Sequence, residues 1–163
     1  MLLPLLKEYG TISRLSKHIC LPFDVSRYTV LVTDDVPSNI VLLKKLLLSE
    51  GYRVVTAANN EEALRMLKTH PISLIISDIN RPEGNGFELM TTIRKKGITI
   101  PAIALSATMH NAEQHQKAIG TGFTTALPKP FTSHSILPIV KQLLLISEYK
   151  RIDGIISDKE ANE

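Results

Sequence analysis

The sequence predicts an α/β protein: a doubly wound, five-stranded parallel sheet with helices on both faces. Three observations predict it. Strand-like and helix-like segments alternate five times between residues 28 and 146. The links between them are short and rich in Gly, Pro and Asn. The strand-like segments are continuous apolar runs rather than alternating ones, as strands covered on both faces should be.

The elements follow in order. Residues 28–33 form a β-branched, apolar run that Asp34 and Asp35 stop. Pro37 suits the first turn of a helix reaching about Leu48, and Gly51 ends it. Residues 53–57 form the second strand. Asn60, followed by Glu61 and Glu62, opens a helix through Lys68 that Pro71 closes. Residues 72–77 form a third strand ending at Asp78. A loop with Pro82, Gly84 and Gly86 leads to a helix over 87–95. Residues 100–105 form a fourth strand ending at Ser106, and a helix over 111–119 is capped by Gly120. Residues 123–127 form the fifth strand, just before Lys129, and the last helix covers 133–146.

Two segments flank this region. Residues 1–27 carry Leu2, Leu5, Leu6, Tyr9, Ile12, Leu15 and Ile19, one apolar stripe at near-helical spacing. Such a stripe has to be buried, against the main domain, a partner or a second copy. It is read as an N-terminal helical extension or linker, with dimerisation through it as one use. Residues 147–163 are polar and are expected to fray.

Composition narrows the function classes. The chain has 163 residues, 44% hydrophobic and 21% charged, which suits one soluble domain. Its single cysteine allows no internal disulfide and fits a reducing compartment. No apolar run is long enough to span a bilayer, and Met1 to Leu6 make a poor signal peptide, so a cytoplasmic protein is expected. The net charge of +3 comes partly from Lys44-Lys45 and Arg94-Lys95-Lys96, which fall on helices. They read as solvated faces, and no nucleic-acid binding is expected. There is no Walker A loop and no G-x-S-x-G elbow. His18, His70, His110, His115 and His134 show no metal-ligand spacing.

The chemistry gathers at the strand ends. Right-handed crossovers put all strand C-termini on one edge, where ligands of such sheets bind. That edge would collect Asp34, Asp35, Asp78, Ser106 and Lys129. Taken singly, a strand-end Asp is commonly a cap or turn residue, and a Lys is commonly solvated. Taken together, three carboxylates at about 4 Å repel by roughly 1–4 kcal/mol per pair. A divalent cation offsets this, and oxygen donors favour Mg²⁺ over zinc. A hydroxyl and an ammonium beside them can hold phosphoryl oxygens. A carboxylate can itself accept a phosphoryl group.

These pieces, in this order, resemble the receiver domain of response regulators in two-component signalling. The matching runs are Val30-Leu31-Val32-Thr33-Asp34-Asp35, Ile75-Ile76-Ser77-Asp78-Ile79-Asn80-Arg81-Pro82 with Gly86-Phe87-Glu88-Leu89, Leu105-Ser106-Ala107 and Lys129-Pro130-Phe131. The resemblance covers about residues 28–145. It implies a flavodoxin-like sheet of order 2-1-3-4-5. It also implies Asp78 as phospho-acceptor, Mg²⁺ held by Asp35 and Asp78, with Asp34 acting through water and Asn80 through its carbonyl. Ser106 would be the switch hydroxyl and Lys129 the phosphate-binding lysine, with a cis peptide before Pro130. The donor would be a sensor histidine kinase or a histidine phosphotransfer domain, because residues 34–39 resemble receivers fused to hybrid sensor kinases. Such a domain phosphorylates and dephosphorylates itself and is not otherwise an enzyme.

Three departures stand out. Arg81 takes a place where the family usually has an apolar residue, often Met. A cation there either changes phosphoryl affinity or partner choice, or points to solvent. The turn Glu83-Gly84-Asn85-Gly86 lacks the common Met-Asp. Ala126 takes the place of a Tyr or Phe that swings inward on activation, so that switch cannot operate here.

Two other readings compete. An Asp-nucleophile phosphohydrolase would usually carry a second Asp where Asn80 stands. A pseudo-receiver that binds partners without phosphorylation would not need the complete set of Asp34, Asp35, Asp78, Ser106 and Lys129. The tail after the last helix is too short for a DNA-binding module, so output is expected through protein contacts or in a segment outside this sequence.

Overall fold

A computed structural model describes residues 23–81, 85–109 and 111–161. The apolar stripe of the first 22 residues, and with it the expected dimerising helix, lies outside the described residues.

The described chain opens with a 3₁₀ turn at Val25–Arg27, capped by the Asp24 side chain. The elements that follow are β1 (Thr29–Thr33), α1 (Pro37–Ser49), β2 (Arg53–Ala57), α2 (Asn60–Thr69) and β3 (Leu74–Asp78). Then come α3 (Gly86–Lys95), β4 (Ala102–Ser106), α4 (Ala112–Thr121), β5 (Thr125–Pro128) and α5 (Ser133–Ala161). The sheet is parallel throughout, in the order β2-β1-β3-β4-β5. The expected fold class and strand order are both found.

Side-chain alternation splits the strands between two cores. Leu31, Ile75 and Ala104 pack with residues of α2, α3 and α4, including Ala63, Leu89, Met90, Ile93 and Ala118. Val30, Val32, Leu74, Ile76, Ile103 and Leu105 pack with Leu43 and Leu47 of α1 and with Ile136, Val140, Leu143 and Leu144 of α5. Both parities are apolar because both faces are covered.

Local chemistry sets the helix starts. Asn59, Asn85 and Asn111 each accept a hydrogen bond from the backbone N–H three residues on and so cap α2, α3 and α4. At α2 the Glu62 carboxylate reaches back to the Ala58 N–H, completing a reciprocal cap. At α5, Thr132 and Ser135 cap each other's backbone N–H groups. Pro37 opens α1 as expected.

β3, β4 and β5 each begin two residues later than the sequence reading, and two helix ends differ from it more. Gly120 lies inside α4, and Gly122, at φ +122°, ends it. Of these two glycines, Gly122 is the one with the positive φ that a helix exit uses. The last helix does not stop near Ile146 and fray; it continues to Ala161. Residues 147–154 are half-buried or exposed, and polarity governs burial rather than helicity. Glu148 and Arg151, paired at 2.6 Å across one turn, are compatible with that continuation.

One unanticipated side chain ties the far side together. Arg94 of α3 donates to the carbonyls of Gly122, Ile98 and Ile100 at 3.0, 2.7 and 2.7 Å. It joins the end of α4 to the loop entering β4. A Cβ on Gly122 would meet the Arg94 Cγ at 2.6 Å, so the glycine also makes room for the strap.

Candidate functional site

The C-terminal ends of β1, β3, β4 and β5 converge as the topology requires. Asp34 follows β1, Asp78 ends β3, Ser106 ends β4 and Lys129 follows β5. Backbone bonds fix the edge: the Ile79 N–H donates to Leu105 O at 3.0 Å, and the Lys129 N–H donates to Ser106 O at 2.9 Å. The Lys129–Pro130 peptide is cis.

Asp34, Asp35 and Asp78 form one cluster, with a carboxylate oxygen of each lying within 4.8 Å of the others. Asp34 is completely buried and is held on both oxygens. Oδ1 accepts from the Val36 N–H at 2.9 Å, and Oδ2 accepts from the Asn39 amide at 3.1 Å. The cap-like role that a strand-end Asp commonly plays is therefore real here, and it orients the carboxylate. Asp35 is exposed and accepts no hydrogen bond among the described residues. Its oxygens are free for a ligand.

Asp78 is buried to 4% exposure. Its Oδ1 accepts from the Asn80 N–H at 3.1 Å. Burial pushes its carboxyl above the usual carboxylate range, against the pull of the Asn80 N–H and of Lys129. Lys129 bridges the two buried carboxylates, with Nζ 3.0 Å from Asp34 Oδ2 and 3.3 Å from Asp78 Oδ2. One ammonium thus pairs with two of the three carboxylates, and the cluster could hold a metal ion.

Ser106 sits on the other side of the pocket. Its Oγ accepts from the Asn80 amide at 2.7 Å and from the Thr108 N–H at 3.0 Å, and lies 2.9 Å from Thr108 Oγ1. Asn80 therefore has its side chain on the hydroxyl and its backbone on the acidic side. Ala126 is fully buried in β5, paired with Ala104 and packed in the core under α3 and α4. It makes no polar contribution to the pocket.

Gly86 sets the distance between α3 and the Asp78 loop. A Cβ there would meet Asp78 O at 2.7 Å and Ile79 Cα at 2.9 Å. This glycine is needed for close approach of backbone to backbone.

Three contributors were not singled out from sequence. Asn39 reaches back to Asp34 from the first turn of α1, five residues on. Thr33 and Ser77, one residue before the two buried carboxylates, turn out to be partners of Arg81. Arg81 itself does not point to solvent. It is 7% exposed and lies inside the fold.

Comparisons with known proteins bear on the family and the fold. Residues 30–141 match the family model described as the response regulator receiver domain. The chain is 38% identical over 123 residues to an uncharacterized 14.6 kDa protein in the sodA1 3′ region of Leptolyngbya boryana, covering 74% of this chain and 93% of that one. It is 37% identical over 117 residues to the sensor histidine kinase RcsC of Escherichia coli K12. That match takes in 72% of this chain but only 12% of RcsC, so it concerns one segment of the kinase. Among solved structures, the chemotaxis protein CheY4 of Vibrio cholerae superposes with a TM-score of 0.67 at 30% identity, over 71% of this chain and 98% of that one.

Proposed function

Because the chain belongs to the response-regulator receiver family, we propose that it takes a phosphoryl group from a phosphohistidine onto Asp78 and relays the change through protein contacts. The observation that carries this reading is the convergence of the three carboxylates with the Lys129 ammonium at the C-terminal edge of the sheet.

Each residue has a part. An Asp78 carboxylate oxygen attacks phosphorus, a new P–O bond forms, and the N–P bond to the donor histidine breaks. Lys129 moves from the carboxylates to the phosphoryl oxygens, which carry more charge. The Ser106 hydroxyl, now shared with Asn80 and Thr108, donates to the phosphoryl group of the product. Asp34 stays fixed by Val36 and Asn39 while Lys129 leaves it. The pocket fits Mg²⁺: ligand oxygens around one such ion lie about 3–4 Å apart, which small rotations of these carboxylates can reach. Asp35 and Asp78 would hold the ion, with Asp34 acting through water and Asn80 through its carbonyl. When bound, the ion neutralises charge on the transferring group.

The donor is a sensor histidine kinase or a histidine phosphotransfer domain. In support, Val36 and, on α1, Val41, Leu42 and Leu48 are exposed apolar side chains that a partner could cover. Residues 28–146 are read as the receiver, with 1–27 and 147–163 as flanking segments. Ala126 has no ring to rotate, so output is assigned to the loops after β3, β4 and β5 once Ser106 engages the phosphoryl group. The domain acts on its own Asp78 rather than on an external substrate. Among the described residues no helix is long and apolar enough to cross a membrane, and a cytoplasmic location is proposed.

Intact mass after incubation with Mg²⁺ and acetyl phosphate tests the reading. One phosphoryl adduct is expected in the wild type, and none without Mg²⁺ or in Asp78→Asn. No adduct under any condition, even with a histidine phosphotransfer donor, overturns it in favour of a phosphorylation-independent interaction module.

A further inference from the structure

The loop after β3 buries a cation directly below the acidic pocket. Arg81 Nη1 donates to Thr33 Oγ1 at 2.9 Å, and Nη2 lies 3.5 Å from Ser77 Oγ. Its Nε is buried and has no hydrogen-bond partner among the described residues. Thr33 and Ser77 are register partners on β1 and β3. The guanidinium therefore spans the two strands one residue before Asp34 and Asp78. Among the described residues both of its hydrogen-bond partners are neutral hydroxyls, and neither balances its charge. A buried, unpaired guanidinium is expensive. Burial pulls the guanidinium below its usual range, and the fields of Asp78, Asp34 and Asp35 oppose that pull, so the carboxylate cluster is the counter-charge that favours its charged form.

Reading the pocket as a metal-dependent phospho-acceptor, we propose that Arg81 is a resident positive charge of that pocket, which weakens divalent-cation binding and offsets the charge of the incoming phosphoryl group. The charge count supports this. With Lys129 alone, the three carboxylates keep an excess of two negative charges for a cation to neutralise. Arg81 halves that excess, so Mg²⁺ enters a less attractive field. On the ionisation of other phosphorylated side chains, phosphorylated Asp78 carries close to two negative charges at neutral pH in place of the single charge of its carboxylate, which is lost when the P–O bond forms. With Mg²⁺ and Lys129 in place, the phosphorylated pocket would retain about one uncompensated negative charge, which Arg81 cancels. Arg keeps its charge in proteins, so the contribution is constant across physiological pH.

The role is one of charge rather than of contact, and this separates it from a strap that merely holds the loop. Mg²⁺ is titrated calorimetrically into wild type, Arg81→Met and Arg81→Lys, each first checked for a cooperative thermal transition without metal. Arg81→Met, of similar length and neutral, should bind Mg²⁺ tighter by roughly tenfold. Its rate of phosphoryl uptake from acetyl phosphate at saturating Mg²⁺ should fall by a similar factor. Arg81→Lys keeps the charge and should stay within about twofold of wild type on both counts. Unchanged or weaker Mg²⁺ binding in Arg81→Met, undiminished uptake, or a Lys variant that follows the Met variant overturns the proposal. If Arg81→Met does not fold, Arg81→Gln replaces it with the same outcomes. Asp35→Asn serves as the reference: if it leaves Mg²⁺ binding unchanged, the metal-site reading has failed. If it weakens binding while Arg81→Met changes nothing, only the role of Arg81 has failed.

Discussion

In the middle of β1 and β3, Val30, Leu31, Val32, Leu74, Ile75 and Ile76 are wholly buried. One or two residues further along the same strands, Thr33, Asp34, Ser77 and Asp78 are at most 4% exposed. The two stretches share backbone, register and depth, and differ in what burial does. Apolar burial stabilises by about 25 cal/mol per Å². Burial of Asp78 disfavours its charged form, and each buried polar group needs a partner to be tolerated. The mid-strand stretch holds the domain together. The strand ends draw on that stability to keep charges in a place where a charged ligand interacts strongly with them. A buried fraction by itself does not distinguish the two; the partners do.

The largest expected effect at the strand ends is chemical. Asp78→Asn should abolish the phosphoryl adduct and yet raise the melting temperature at pH 7 in the absence of metal. The carboxyl's folded pKa lies above its unfolded one. Its favourable contribution is therefore complete below the unfolded value of about 3.8 and is lost as pH rises through the folded value. The gain from Asn should accordingly be absent near pH 3 and open above pH 4. Melting curves of both proteins across that range check it, and a variant less stable than wild type at pH 7 would break the comparison.

At mid-strand the sign reverses. Ile76→Ala should lose about 2–5 kcal/mol in urea denaturation, from lost transfer energy and a cavity the packed faces cannot close. Next to it in size is Thr33→Val, which makes the strand end more apolar without changing its shape. It should destabilise by about 1–3 kcal/mol, because Arg81 Nη1 loses its 2.9 Å acceptor. In an Arg81→Met background the same change should be nearly neutral, and the double-mutant cycle reads the coupling.

The smallest effect lies at the opposite end of the sheet. Tyr52, 4% exposed, has its phenol pushed up to about 12 by burial. Being raised, it adds stability that is complete below about pH 10 and is lost as pH rises toward 12. In an ultraviolet titration of the four tyrosines, Tyr52→Phe should remove the most alkaline step.

Much of the site was legible from sequence because it sits on strand ends. Once the β-α alternation is read, a parallel sheet with right-handed crossovers has little freedom in where Asp34, Asp78, Ser106 and Lys129 fall. The residues that complete the pocket were harder to see. Asn39 in the run after Asp34 reads as ordinary helix start, and its hold on Asp34 depends on the curl of α1 back over β1. Thr33 and Ser77 read as strand residues. Gly86 reads as a turn glycine, although its function is to let α3 approach the backbone of Asp78 and Ile79.

The amino-acid sequence by itself determined the element order, the two-faced sheet and the identity of the charged groups at its edge, since all three follow from local pattern and chain connectivity. Only the tertiary structure decided where Arg81 points, which carbonyls Arg94 straps and how far α5 runs beyond the core. A side chain's direction is set by what other segments offer it. Arg81 turned inward because Thr33 and Ser77, distant in sequence, present acceptors beneath three carboxylates. Pattern along one segment cannot report a field made by four.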